Sequence, residues 1–475
     1  MSLDDKFLQT EKAAEKLTQQ AEKELIKAYR DYLKEVRSEV GFNYEKYAVA
    51  GALTWAIMMK GKRLDKLEKS ISSEASKLYT RTNETTKEAV KDAFQDSYYR
   101  TGWTMETGAG VSLSFEVLNP DVVKAAALNP YDRITWPERM KANTEVMVRQ
   151  IREEITRGIV QGKSYDQTAR AITERINVGA SKAKRIVQTE TGRAQSQGTQ
   201  AAFEKASQEG LLFKKVWVSS LDVRTRDKHR SLDGQKVEPD QPFTYGGMTA
   251  MYPRGWGVPE MDVNCRCTHR AEIEGMEPES RRARNPVTGK NEVISNMTYD
   301  EWYEKYIQTD PKALAAEKMR KNRFTDKKQH QAYKKILGKD APSSFEKFQD
   351  LKYNDVEAWE SVKRQYGKFN RIDSGAYSEA YKNKLKGTYR YFKQEGHEFT
   401  VHALNRIVGQ KQSAGKSTFT NQDILEMLNK PPNYKQPDGN LVRFENDLAI
   451  IQAQDNHEIM TVVSRRTKRK DWEEV

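Results

Sequence analysis

Apolar residues recur every three or four positions near the start of the chain, with lysine and glutamate between them. The recurring positions are Leu17, Ala21, Leu25, Tyr29, Tyr32 and Val36. This spacing predicts one long helix that ends near Gly41, followed by a second helical region over residues 44–100 and a short helix over 121–128. We therefore expect residues 1–136 to form an N-terminal helical region.

The helical pattern strengthens in the middle of the chain and then stops. Helices are predicted over 137–160, 165–176 and 180–208, because Gly162 and Gly179 interrupt the apolar periodicity. Alternation around Trp217 predicts a strand, and residues 220–273 contain many turn-forming residues. We expect 137–275 to be a mainly helical domain that carries a loop-rich, β-containing unit.

The last third alternates between helical and strand patterns. Residues 276–340 are highly charged and are interpreted as a helical connector. A helix is predicted over 421–428, and strands over 441–444, 448–453 and 459–463 indicate a terminal antiparallel sheet. Residues 341–475 should therefore form a small α+β domain. The fold class predicted for the whole chain is α+β.

Charge adds information about partners. The 475 residues include 81 Lys and Arg against 68 Asp and Glu, a net charge of +13. Residues 139–237 hold 20 basic and 11 acidic residues, an excess of +9. This excess is typical of a surface that faces phosphates or an acidic protein, although solvated helix surface is an alternative for each residue. The candidate nucleic-acid-binding residues are Arg149, Arg152, Arg170, Lys182, Lys184, Arg185 and Arg193.

The same composition excludes two classes of protein. Only two cysteines occur, so the chain is not a disulfide-stapled secreted scaffold. The N-terminus lacks a signal-peptide pattern, and the longest apolar stretch, 48–59, is shorter than the ~20 residues that span a bilayer. We therefore expect a soluble protein made in a reducing compartment, without a membrane partner.

Two clusters in the loop-rich unit suggest metal chemistry. His229, Cys265 and Cys267 could supply three of the four nitrogen and sulfur ligands of a structural Zn²⁺. Three residues are candidates for the fourth ligand: Asp222, Asp227 and His269. The alternative is a pair of buried thiols beside a hydrogen-bonded histidine. Asp222 and Arg224 are expected to form an internal ion pair or turn clamp.

These clusters also carry a family resemblance. Several motifs occur in the order found in phage head morphogenesis proteins. They are the segment 188–194, with the sequence Gln-Thr-Glu-Thr-Gly-Arg-Ala, the segments 221–229 and 264–267, and the single residues Trp217, Gly234, Phe243 and Pro259. Residues 137–273 resemble that family, which includes the F-like protein of phage Mu. The resemblance implies a minor capsid protein of a tailed phage or prophage, present in few copies. It implies a portal-associated place in the virion, assembly in the host cytoplasm, and a role in head assembly and possible DNA packaging or ejection.

The C-terminal segment resembles a second group of proteins. Residues 399–406, the helix 421–428 and the three strands are similar to the barnase, EndoU, colicin and RelE-like ribonuclease fold. The resemblance implies a metal-independent ribonuclease in which His402 transfers a proton and Arg406 binds phosphate. Arg443 and Thr461 would complete the site from strands. His397 and His457 are expected to be solvated. A fold kept without activity is the alternative.

Three classes of function therefore remain open. The leading class is a structural head protein whose partners are the portal, other head proteins and, without sequence preference, phage DNA. The second is a virion-carried ribonuclease with RNA as partner. The third, an ADP-ribosyltransferase, rests on Glu272 and Glu274 and is disfavoured, because these residues follow Cys267 too closely and have no upstream partner motif.

Overall fold

The computed structural model describes residues 3–115, 117–128, 134–276, 278–410 and 418–475. The chain divides into two compact units, Met1–Ala313 and Leu314–Val475. Both contain helices and antiparallel strands, so the predicted α+β class is confirmed. No helix in the described part of the chain is long and apolar enough to cross a membrane. The finer division into four domains stays a prediction.

Six helices build the first part of unit 1. They are α1 (Leu3–Tyr47), α2 (Trp55–Met59), α3 (Arg63–Ala109), α4 (Pro120–Leu128), α5 (Trp136–Val160) and α6 (Tyr165–Gln208). The apolar stripe of α1 is buried against α3 and α6, and α5 packs against α3 and α6. Capping boxes at Thr135 and Ser164 fix the starts of α5 and α6.

Three predicted helix ends are wrong, and packing explains one of them. Helix α1 continues through Gly41 to Tyr47, and α3 continues through Gly102 to Gly110, whose left-handed conformation (φ 66°) ends it. Helix α6 is continuous through Gly179, where a Cβ would lie 2.7 Å from Met147 Sδ of α5. Gly179 therefore allows two helices to approach closely and does not end one.

The loop-rich unit follows α6. It consists of β1 (Lys214–Val218), α7 (Asp227–Arg230), β2 (Lys236–Val237), β3 (Phe243–Tyr245), β4 (Met248–Ala250), α8 (Pro259–Asp262) and β5 (Thr268–Glu272). The predicted strand around Trp217 is confirmed as β1, the centre of an antiparallel sheet ordered β2-β1-β5. Strands β3 and β4 form a hairpin. Trp217, Phe243 and Trp256 pack in the core of this unit.

The charged segment that follows is not helical throughout. An antiparallel hairpin of β6 (Ser280–Arg284) and β7 (Asn291–Ser295) precedes α9 (Tyr299–Tyr303). A π-helical turn over Glu304–Gln308 follows, and then α10 (Pro311–Lys321) and α11 (Arg323–Leu337). The prediction of a helical connector over 276–340 is therefore wrong for its first part. Arg281 is buried in β6, where its guanidinium pairs with Asp233.

Unit 2 is built from helices on one face of a five-stranded antiparallel sheet. Its further helices are α12 (Phe345–Asn354), α13 (Val356–Ser374), α14 (Glu379–Gln394), α15 (Val401–Val408) and α16 (Asn421–Leu428). Its strands are β8 (Tyr434–Lys435), β9 (Leu441–Glu445), β10 (Leu448–Gln452), β11 (Ile459–Ser464) and β12 (Glu473–Glu474), in the order β11-β10-β9-β8-β12. The predicted helix and terminal sheet are confirmed. The core of the unit includes Tyr333 and Leu337 of α11.

Candidate metal centre and nucleic-acid surfaces

The structure brings His229, Cys265 and Cys267 together in the loop-rich unit. His229 lies on α7, and both cysteines lie on the loop between α8 and β5. The three ligand atoms lie within 4.8 Å of one another, and all three side chains are buried. His229 Nδ1 is 3.4 Å from Cys265 Sγ and 3.3 Å from Cys267 Sγ. One imidazole and two thiols thus converge on one point, as the ligands of a structural zinc ion do.

Two arginines hold the cysteine loop, the buried Arg254 and the half-buried Arg226. Arg254 Nε donates to the Cys265 carbonyl oxygen at 2.8 Å, and its Nη1 donates to the Gly192 carbonyl oxygen of α6 at 2.8 Å. Arg226 donates to three backbone carbonyl oxygens, those of Glu260 and Met261 in α8 and that of Val263 at the start of the loop. The cysteine loop is therefore fixed from α6 on one side and from the start of α7 on the other.

The two thiols differ in acidity. Burial alone would raise the pKa of the Cys265 thiol, but hydrogen bonds from Cys267 and His229 and the charge of Arg254 hold this pKa well below its ordinary value. Burial and the neighbouring Cys265 raise the pKa of the Cys267 thiol well above its ordinary value. Of the two thiols, Cys265 therefore loses its proton more readily, and the thiolate is the form that binds metals.

None of the three candidates for a fourth ligand joins this group. Among the described residues the group has only the three members named above. Asp222 is paired with two arginines, and the Asp227 side chain is 92% exposed. His269 is buried between Phe203 and Phe243, and burial lowers its pKa well below the ordinary value. The predicted fourth ligand is therefore wrong for each of them, whereas the three-ligand set fits a tetrahedral ion.

The predicted clamp at Asp222 is confirmed. The Asp222 carboxylate accepts from the backbone nitrogen of Arg224 at 2.8 Å, from Arg224 Nε at 2.6 Å and from Arg266 Nη1 at 2.5 Å. Burial would raise the pKa of this carboxyl, but the two arginines lower it to about 2. Arg266 lies between the two cysteines, so the clamp ties the turn before α7 to the cysteine loop.

The basic residues on α5 and α6 differ in their availability. Arg193 is buried and pairs with Glu190 at 2.8 Å, so its prediction as a nucleic-acid contact is wrong. Lys184 pairs with Glu22 at 2.7 Å, and Arg152 lies 3.7 Å from Glu68. The remaining four candidates are exposed: Arg149, Arg170, Lys182 and Arg185. In the described part of the chain only Arg149 has an ion pair, with Glu153 at 4.0 Å.

The C-terminal candidates do not form one site. His402 and Arg406 are exposed one turn apart on α15, as predicted. In the antiparallel sheet Arg443 of β9 and Val462 of β11 both pair with Ile450 of β10, whereas Thr461 of β11 pairs with Ile451 of β10. Because neighbouring strand residues point to opposite faces, Arg443 and Thr461 lie on opposite sides of the sheet. The two strands therefore cannot both supply these residues to one site.

Arg443 has partners that its sequence position does not reveal. Its Nε donates to the Lys430 carbonyl oxygen at 2.6 Å, and its Nη1 donates to Gln452 Oε1 at 2.8 Å. His397 is half-buried instead of solvated, and burial and the Arg443 charge lower its pKa. His457 is exposed, as expected. Glu272, on which the disfavoured ADP-ribosyltransferase hypothesis rests, is a strand residue whose carboxylate pairs with Lys236.

The sequence alone did not identify Arg254 and Arg226 as supports of the metal-ligand loop. Arg254 is an isolated cation in a turn, held at a φ of 70° that is rare for residues other than glycine. Its partner Gly192 lies in the segment 188–194, where α6 is buried on nearly all sides. A glycine among small polar residues in the middle of a long helix was the available signal for a close contact.

Comparison with known proteins gives the same assignment for this region. The family described as "Phage Mu protein F like protein" matches residues 149–270. The minor head protein GP7 of Bacillus phage SPP1 is 32% identical over 294 residues, which cover 62% of this chain and 94% of that protein. The NAD(+)--arginine ADP-ribosyltransferase EFV of Enterococcus faecalis is 30% identical over 285 residues, which cover 60% of this chain but only 57% of that protein. No solved structure matches the chain. The chain belongs to the phage head morphogenesis family of minor head proteins.

Proposed function

We propose that this protein is a low-copy head component at the portal vertex of a tailed phage or prophage, where it assists head assembly. The observation that carries the proposal is the match to nearly the full length of a phage minor head protein. The matched family region contains α6 and the loop-rich unit, which supply the shared motifs. The partners are the portal and other head proteins, and the site of assembly is the host cytoplasm.

Quantitative mass spectrometry of purified proheads and mature particles tests this proposal. We expect the protein at a few copies for every several hundred copies of the major capsid protein. Particles assembled without the portal are the control, and they should lack the protein while keeping the major capsid protein. Absence of the protein from proheads and particles alike contradicts the proposal.

We also propose one structural Zn²⁺ per chain at His229, Cys265 and Cys267. The support is the convergence of three buried nitrogen and sulfur donors in a unit that is rich in loops and small in core. When bound, the ion would crosslink α7 to the loop before β5, and its binding free energy would add to the stability of the unit.

Elemental analysis of the purified full chain tests the zinc proposal. We expect one zinc per chain in the wild type and loss of zinc in His229→Ala and Cys265→Ser. His269→Ala is the matched control, because His269 is a buried histidine of the same unit outside the ligand group, and this variant should retain zinc. A wild-type protein that is purified without chelators and contains no zinc contradicts the proposal.

Binding to phage DNA is proposed as weak and independent of sequence. Its support is a set of three exposed cations on α6 that form no ion pair with any residue that the structure describes: Arg170, Lys182 and Arg185. Three phosphate contacts predict a roughly 40-fold loss of affinity between 50 and 200 mM salt, from a logarithmic slope of about −0.9 per phosphate. Exchange of Lys182 and Arg185 for glutamate should reduce affinity and slope, whereas Arg152→Gln, which removes a partly paired cation, should change both less. Affinity that does not depend on salt contradicts this proposal.

A ribonuclease in unit 2 is the second candidate function. The observation in its favour is the exposed pair of His402 and Arg406, which could transfer a proton and bind a phosphate from one helix face. Cleavage of RNA by the full chain without added metal should fall about 10²–10⁴-fold in His402→Ala and should be unchanged in His457→Ala. Cleavage that survives His402→Ala contradicts this site. The activity in the name of the enterococcal relative is not proposed, because the match covers only 57% of that protein.

A further inference from the structure

One end of unit 1 exposes an unusual amount of apolar surface. Four large side chains there are about half exposed or more: Phe42 (53%), Val49 (63%), Trp55 (48%) and Met59 (51%). They lie at the end of α1, in the turn after it and on the short helix α2, and we call them the apolar tip. Soluble proteins rarely expose several large apolar residues so close together unless a partner covers them.

A groove lies beside the apolar tip and runs along α1. Its lining begins at Arg30, includes Phe42 of the tip and reaches Ala48 and Gly51 in the turn, with Tyr165 of α6 on its other side. The groove is open to solvent and has a volume of about 880 Å³. Eighteen residues of α1, from Arg30 to Tyr47, follow it, a length of about 27 Å at the helical rise of 1.5 Å per residue. This length suits another helix.

The charged residues that line the groove are mostly basic. Three basic residues line it, Arg30, Lys34 and Arg37, and Glu45 is the acidic residue among its lining. None of the three basic side chains has an ion pair within the described residues. Unpaired cations beside exposed apolar side chains complement a ligand that carries acidic residues next to an apolar stripe.

We propose that the apolar tip and this groove dock an acidic amphipathic helix of another head protein. The proposal rests on the proposed role in head assembly and adds the surface and the chemistry of the partner. Docking of a helix by its apolar face into a hydrophobic groove is a common mode of peptide recognition. The apolar stripe of the helix would cover Phe42 and the tip, and its acidic residues would pair with Lys34 and Arg37.

A second copy of this chain is a poorer occupant. In a two-fold dimer the same patch faces itself, so that the basic side chains of one groove would approach those of the other. A membrane surface is poorer as well, because the groove is a concavity beside α1 and a bilayer surface would not fill it. Both occupants remain distinguishable outcomes of the experiment.

The test places a photo-crosslinking amino acid at Val49 in the full chain and irradiates assembled proheads. We expect a crosslink to another head protein, at a peptide that carries an acidic amphipathic helix. The same amino acid at Leu212, which is 85% exposed and lies outside the groove, should give no such crosslink. A crosslink to a second copy of the chain, or to a peptide without acidic residues, overturns the proposal. Proheads that contain the chain without any crosslink from Val49 also overturn it, whereas proheads that lack the chain overturn the proposed function instead.

Charge reversal gives an independent readout. Exchange of Lys34 and Arg37 for glutamate should reduce incorporation into proheads at least tenfold with an unchanged circular dichroism spectrum. Exchange of Lys12 and Lys16, which are exposed on α1 outside the groove, is the control and should incorporate normally. Equal incorporation of both variants overturns the proposal. Binding of the wild type to vesicles of 25% phosphatidylserine that is lost in Val49→Ser would assign the surface to a membrane and overturn the proposal too.

Discussion

Gly192→Ala tests the contact between α6 and the cysteine loop. An ideal Cβ at this position lies 2.7 Å from Arg254 Cζ and Nε and 3.0 Å from its Nη2. Contacts between carbon atoms normally lie at about 3.5–4.0 Å, so the guanidinium must move by about 1 Å. Arg254 is 6% exposed and cannot turn into solvent. Its hydrogen bonds to the carbonyl oxygens of Gly192 and Cys265 therefore weaken or break.

The expected loss follows from these contacts. A hydrogen bond of a charged group contributes about 1.5–3 kcal/mol, so that losing two of them costs about 3–6 kcal/mol. The higher helix propensity of alanine returns about 1 kcal/mol. We expect the free energy of unfolding of unit 1 to fall by roughly 3 kcal/mol, and the zinc content to fall with it, because the Cys265 carbonyl is released.

Urea unfolding followed by circular dichroism, together with elemental analysis, measures both effects. Gly387→Ala is the matched control: this glycine lies inside α14, and no atom lies within 4 Å of its Cβ position. That variant should gain up to about 1 kcal/mol. If Gly192→Ala is as stable as the wild type or more stable, and retains zinc, the reasoning about Arg254 is refuted.

Three further predictions concern stability. Gly198→Ala should destabilise unit 1 by more than about 3 kcal/mol in urea unfolding, because its Cβ would lie 2.2 Å from the backbone carbonyl oxygen of Phe94 in α3; wild-type stability would contradict the close contact. Asp222→Asn should cost about 2 kcal/mol at pH 7, since the pKa of Asp222 is lowered from 3.8 to about 2. The stabilisation by Asp222 is complete above pH 3.8 and is lost as the pH falls to 2. If the free energy of unfolding of Asp222→Asn fell with pH in this range as steeply as that of the wild type, the assignment would be refuted. A chelator at pH 7 should lower the melting temperature of unit 1 and leave that of unit 2 unchanged; no change in unit 1 would contradict a structural zinc.

The sequence predicted most helices and the C-terminal sheet, because their apolar periodicity is local. It failed at Gly179 and Gly102, where local preference says that a helix breaks. Packing decides otherwise at Gly179, since the missing side chain leaves room for Met147 of a neighbouring helix. The β6 strand was missed because Ser-Arg-Arg-Ala-Arg contains one apolar residue. One of its two buried positions is occupied by Arg281, whose charge Asp233 neutralises, and the other by Ala283.

The candidate site residues could also be predicted only in part. The set of His229, Cys265 and Cys267 could be predicted from chemistry, because few residue types bind zinc. The fourth ligand could not, since it depends on which loop faces the cluster. Arg443 and Thr461 were placed in one site for a similar reason: their strands were predicted correctly, but the side of the sheet on which each residue lies depends on the register between the strands.

Gold labelling of the protein in purified proheads tests directly whether it lies at the portal vertex. A tag on the full chain, bound by a gold particle and viewed by electron microscopy, reports where in the head the protein lies. We expect a label at a single vertex, the one that carries the portal. A label spread over all vertices or over the shell, in particles shown by mass spectrometry to contain the protein, would contradict it.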